Sequence, residues 1–202
     1  MPAGVRPLLV KLAATAAALA LSAAVWSAGT WSAFDRTASS PGNAVATGSV
    51  ALSDNDGGTP LLSLTGARDG SSVTSCVKLT YGGTVPADVR VYGAVTGTGL
   101  DAYLTLTITR GTIAGTPAAK SCTGFSADAT DYLGKGAGVV YGGNLSAFPT
   151  SAAGALVDPT SGVAERWDAG EAHAYKLTVA MNGASGAGKS ATADFTWLAT
   201  SS

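Results

Sequence analysis

The chain has 202 residues, of which 46% are apolar and only 12% charged, with 27 glycines and a formal net charge of −1. That length is enough for one domain with a real core, and the recurring runs of Val, Leu and aromatic residues exclude a globally disordered chain. Basic and acidic side chains number 12 and 13 with no basic run, so the clustered Lys and Arg that a phosphate backbone requires are missing and nucleic acid is not an expected partner.

The first segment reads as an export signal. Arg6 and Lys11 give a positive start, and residues 12–28, LAATAAALALSAAVWSA, carry no charge. The stretch is long for a signal core and short for a spanning helix. The expectation is a signal helix within 1–33, cut between Ala33 and Phe34 by a signal peptidase, leaving 34–202 as one secreted domain. A retained anchor is the other reading, and the membrane would then be touched only through this segment. Trp26 and Trp31 crowd the candidate cleavage positions. Cleavage removes Arg6 and Lys11 and no acid, so 10 basic and 13 acidic side chains remain, a net charge of −3.

Past the signal, the apolar pattern has period two. Residues 45–53 hold Val50 and Leu52 among small polar neighbours. In 74–81, Val77, Leu79 and Tyr81 share a face, opposite Cys76, Lys78 and Thr80. In 87–95, Val89, Val91, Gly93 and Val95 line one face. In 100–109, Leu104, Leu106 and Ile108 alternate with threonines. Tyr175, Leu177, Val179 and Met181 repeat the pattern in 173–181, as do Ala193, Phe195 and Trp197 in 191–198. Each run predicts a strand with one buried face. Turn clusters at 54–60, 82–86, 97–99, 111–117 and 134–138 separate them. No segment after residue 33 carries three turns of amphipathic helix. The fold class is therefore all-β, an antiparallel sandwich. Residues 126–170, rich in Gly, Ala and Ser, read as a long loop or short irregular strands.

Two cysteines, Cys76 and Cys122, fit one disulfide in an exported chain. Two free buried thiols, or a metal site completed by carboxylates, are the alternatives.

Several motifs invite chemistry. Gly183, then Gly188-Lys189-Ser190, matches a phosphate-binding loop letter for letter. Such a loop needs a helix starting at its Lys. Here ATADFTWL follows, which alternates as a strand, so the match predicts a hairpin loop with Lys189 in solvent. Asp54-Asn55-Asp56-Gly57-Gly58 resembles a calcium loop, but Thr59 and Thr65 stand where an EF-hand needs Gly and Glu; a strand-end turn is expected, with a different kind of calcium site as the alternative. His173 is the single histidine, so an HExxH zinc site is impossible and no catalytic or metal residue is assigned. Glu165 and Glu171 are the only glutamates, and nothing in their spacing marks a catalytic pair. Asn144-Leu145-Ser146 is a formal glycosylation sequon, read as incidental. No cofactor loop is found.

One resemblance emerges. Gly29-Thr30-Trp31-Ser32-Ala33-Phe34, then Asn43, then Gly48-Ser49-Val50-Ala51-Leu52, is similar to the signal-junction pattern of the TasA/camelysin family, whose precursors are processed by SipW-type signal peptidases. Asp35 falls one position early against that pattern, and Ser49 replaces the usual Thr. Tyr81-Gly82-Gly83, Val89-Arg90-Val91-Tyr92, Trp167, His173-Ala174-Tyr175 and Phe195-Thr196-Trp197 resemble a secreted actinobacterial branch more loosely. The resemblance implies a jelly-roll-like sandwich in a biofilm-matrix or cell-surface protein of a Gram-positive type; it is the missing ligand set, not the resemblance, that leads to the expectation that it is not an enzyme. It also implies self-association by strand exchange, with residues 34–52 as donor and 44–52 as the pairing part. The same segment also reads as the first strand of its own domain. The metalloendopeptidase activity attached to the camelysin side finds no ligand set here. A surface-binding module is a further alternative, and exposed aromatic rings near Trp167 or Trp197 would mark it.

Overall fold

The structure, a computed structural model, describes residues 36–37, 49–56, 58, 61–64, 67–159, 165–182 and 188–201. Contacts divide the chain into two compact units, Met1–Ala33 and Phe34–Ser202, and every described residue belongs to the second. The expected signal helix, its cleavage point at Ala33 and Phe34, and most of the donor segment lie outside the described residues.

The described chain is all-β. Six long or medium strands carry it: β4 (Ser72–Tyr81), β5 (Ala87–Gly97), β6 (Leu104–Ile113), β8 (Val139–Asn144), β11 (Ala172–Met181) and β12 (Ala191–Ser201). Short strands fill the edges: β1 (Arg36–Thr37), β2 (Leu52–Ser53), β3 (Leu62–Leu64), β7 (Phe125–Ala127), β9 (Leu156–Val157) and β10 (Arg166–Trp167). All pairings are antiparallel. One sheet runs β1-β12-β5-β10, with β3 also on β12 and β9 on β5; the other runs β2-β4-β11-β6-β7, with β8 also on β6. The chain changes sheet from β4 to β5, from β5 to β6 and from β11 to β12, which makes the sandwich jelly-roll-like.

Alternation explains the core. Val77, Leu79 and Tyr81 on β4, Leu177, Val179 and Met181 on β11, and Leu104, Leu106 and Ile108 on β6 are all buried. They face Ala87, Val89 and Val91 on β5 and Ala193, Trp197 and Ala199 on β12, in one continuous cluster. Each such side chain contributes roughly 1.5–3 kcal/mol through removal from water. Gly93 sits on the same inner face because an added Cβ would lie 2.9 Å from the Asp194 carbonyl and 3.3 Å from the Phe148 ring. Phe148 fills that notch and meets Tyr141 and Phe195 edge-on.

Three details depart from the sequence reading. Residues 101–103 form a 3-10 turn, so β6 starts at Leu104 and continues through Arg110 and Gly111 to Ile113, past the turn expected at 111. Gly111 is in the strand because β7 crosses it closely: a Cβ there would run into the Ser126 carbonyl. Only Leu52 and Ser53 of the run 45–53 are strand among the described residues, while Val50 is buried beside them. The stretch 126–170 takes the short-strand form, as β7, β8, β9 and β10 with two 3-10 turns.

Cys76 and Cys122 are disulfide-bonded, with Cα atoms 5.0 Å apart and the two residues 46 positions apart in sequence. Closing that loop stabilises the fold by about 4 kcal/mol through the unfolded chain. The bridge pins the loop after β6 onto the outer face of the second sheet, where Cys76, Ile113 and Ala174 form a small separate cluster with Phe125.

Candidate functional site

At one end of the sandwich the inner face turns polar. Arg110 continues the row Leu104, Leu106, Ile108 on β6 and is 4% exposed. An unpaired charge there would be very costly, and the chain answers with three carboxylates. Asp128, from the β7–β8 connection, lies 2.7 Å from Nη1; Asp158, just after β9, lies 3.1 Å from Nε; Glu165, just before β10, lies 2.5 Å from Nη2. Tyr132 accepts a further hydrogen bond from Nη1 at 3.2 Å and donates to Asp128 at 2.9 Å. The guanidinium therefore ties the second sheet to the segment that runs along the edge of the first.

His173 stands beside it on β11. Its Nε2 is 2.9 Å from Arg110 Nη2 and 2.7 Å from Glu171 Oε1. Its Nδ1 is buried and bonded to nothing. The ring packs edge-on against Trp167, centroids 4.6 Å apart, and Trp167 donates its indole N–H to Asp158 Oδ2 at 3.1 Å. Glu171 also accepts the Asp168 N–H through Oε2, closing the turn that leads into β11. Burial pushes the pKa of Asp158 up, with Arg110 pulling the other way as the leading counterweight. Burial, then the Asp158 charge, holds Tyr175 well above an ordinary phenol. Desolvation opposes the charge of Arg110, but its carboxylates, Asp158 foremost, outweigh it and hold the guanidinium still more firmly protonated than usual.

This arrangement bears on metal binding. Glu165, Glu171 and His173 each bring a ligand atom within 4.8 Å of the others, a separation that suits a cation. Arg110 Nη2 already bonds Glu165 and His173. A divalent ion would have to share that space with a guanidinium that repels it and donates no lone pair. Arg110 is the resident cation of the cluster.

The other motifs fall elsewhere. Lys189 lies 4.5 Å over the Tyr103 ring, Ser190 donates its N–H to Thr98 Oγ1 at 2.8 Å, and β12 begins at the next residue. No helix follows the lysine, so the helix N-terminal amides such a loop relies on are not at this position; residues 183–187 of the loop lie outside the described residues. Asp54 and Asp56 accept the N–H groups of Asp56 and Gly58, at 3.2 and 2.7 Å, which is the geometry of a turn. Asn55 between them faces β4 instead, accepting the Lys78 N–H at 2.8 Å. The side-chain nitrogen of Asn144 donates to the Ala102 carbonyl at 2.8 Å, while its oxygen caps a 3-10 turn by accepting the Ser146 N–H. Trp167 and Trp197 are buried, at 0% and 4% exposure, so the exposed rings that would mark a binding module are not at these positions. Among the described residues no helix is long and apolar enough to cross a membrane.

No known protein family matches the sequence, and no curated protein does. A structure of the infectious bursal disease virus Gx strain is similar at a TM-score of 0.27 and 12% identity, over 76% of this chain; the chain spans 32% of that one.

Proposed function

We propose that this is a non-enzymatic structural or interaction protein of the cell surface or extracellular matrix, whose copies associate through the outer edge of β12. One observation carries the reading. β12 pairs on that edge with β3 at Ala191–Ala193 and with β1 at Leu198 and Ala199. Among the described residues, no strand lies against Asp194 to Trp197 between them. An edge whose described partner strands are this short is a template for another chain. Two described residues make up β1, and its register, Arg36 opposite Ala199 and Thr37 opposite Leu198, can be supplied equally by a neighbouring copy. The resemblance at residues 29–52 supports the same picture, because export processing would release the segment that holds β1. The described ends of that segment sit on their own domain, at β1 and at β2. Assembly would therefore exchange β1, extend its pairing along β12 from Leu198 through Trp197 to Asp194, and leave β2 in place, which moves the pairing part from 44–52 to the stretch around Arg36.

The test is amide exchange at Phe195 and Trp197 in dilute and concentrated protein. Strand exchange protects both amides as concentration rises. Equal exchange at all concentrations would refute association through this edge.

A further inference from the structure

The disulfide stands apart from the core. The main cluster takes no residue from 109 to 131. Cys76, Ile113 and Ala174, with Cys122 and Phe125 against them, form a cluster of their own on the outer face of the second sheet. The loop from Ala114 to Gly124 is exposed except at Pro117, Ser121 and Cys122, which are half-buried. What this loop does is cover β4. The Lys120 carbonyl accepts the Cys76 N–H at 3.2 Å. Asn55 accepts the Lys78 N–H through its side-chain oxygen, and its nitrogen donates to the Pro117 and Ala118 carbonyls at 3.2 and 3.5 Å. Lys78 Nζ donates to the Gly115 carbonyl. One covalent bond thus secures a cover that is otherwise held by separate hydrogen bonds.

The two cysteines are not equivalent. Cys76 is fully buried, while Cys122 is half-buried with Lys120, Thr123 and Gly124 exposed around it. An incoming thiolate therefore meets Cys122 first and makes Cys76 the leaving sulfur. Lys176 stands opposite Cys76 in register, Lys78 follows on the same face of β4, and Lys120 bridges Cys76 from the loop. Ammonium groups so placed favour departure of a thiolate. We propose that Cys76–Cys122 is a redox-operated clasp on the cover of β4, opened at Cys122 by an external dithiol while the sandwich stays folded. One thiolate of the dithiol bonds to Cys122 Sγ; the bond between the cysteines breaks, and its electron pair leaves on Cys76 Sγ, which takes up a proton. The second thiol of the reductant then displaces Cys122 from the mixed disulfide. The dithiol ends as a disulfide, and the two cysteines end as thiols. Opening releases the loop and its hold on Asn55, so the Cys76 and Lys78 N–H groups become an open edge. The clasp acts on β4, in the other sheet from β12, and does not depend on the association proposed there.

The test is reduction of the full-length protein by dithiothreitol without denaturant, followed by amide exchange. The rate of opening should rise in proportion to dithiothreitol concentration. After reduction the Cys76 and Lys78 amides should lose their protection, while Leu177 and Val179 on the central strand β11 keep theirs. A dithiol protein stripped of its second, resolving cysteine should be captured on Cys122, as read from the mass of the linked peptide. The proposal is overturned if the bridge opens only at the rate of global unfolding, whatever the dithiol concentration. Capture on Cys76 would overturn it too, as would protection at Cys76 and Lys78 that survives reduction.

Discussion

The outer edges of β4 and β12 are managed in opposite ways. β4 is closed along most of its length by unrelated devices: β2 at Thr80 and Tyr81, the Asn55 side chain on the Lys78 N–H, and the Lys120 carbonyl on the Cys76 N–H. β5 is treated likewise, by β9, β10 and the Pro149 carbonyl on the Gly93 N–H. β12 has two short partners with four residues between them that no described strand covers. That contrast is why association is placed at β12.

The contrast can be broken most forcefully at Arg110. Arg110→Ala leaves Asp158 buried without its partner and should cost about 3–5 kcal/mol in chemical denaturation. The double variant Arg110→Met, Asp158→Asn should recover much of that loss, because the uncompensated charge goes with its partner. Reduction of Cys76–Cys122 should cost about 4 kcal/mol, and it frees the loop whose Lys120 carbonyl closes β4. A smaller effect is expected from Asn55→Ala, about 1–2 kcal/mol for the Lys78 amide left without its acceptor. That variant should also gain a tendency to associate that wild-type β4 lacks, visible by sedimentation.

The smallest effects are in pH dependence, and they have opposite signs. Burial raises the Asp158 pKa, so the folded protein holds that proton more tightly than the unfolded chain. Its contribution to stability is present in acid and is lost as pH rises through the folded pKa; Asp158→Asn should flatten that part of the stability curve. Asp131 is the reverse. Backbone N–H groups of Gly136, Lys135, Leu133 and Gly134 lower its pKa, so the order it gives its loop is present above the ordinary aspartate range. That order fades as pH falls through the lowered value, and loss of amide protection at Lys135 on acidification would show it.

Much of the sandwich is legible in the sequence because alternation is local. Val77, Leu79 and Tyr81, or Leu177, Val179 and Met181, declare their face within a few residues. The cysteine pair follows from number and the expectation of export. The polar end was missed because its logic is not local. Arg110 has the parity of Leu104, Leu106 and Ile108, and that parity was the available signal, but Gly111 beside it reads as the start of a turn. Its partners stand 18, 48 and 55 positions away, in a stretch with no periodicity. The cover on β4 is hidden for a similar reason, since Asn55 looks like part of a calcium loop and acts as a substitute for a strand.

The most direct test is the size of residues 34–202 over time and concentration, followed by light scattering. The account predicts growth of assemblies with concentration, together with protection of the Phe195 and Trp197 amides. A protein that stays monomeric across wide ranges of concentration and pH would contradict it.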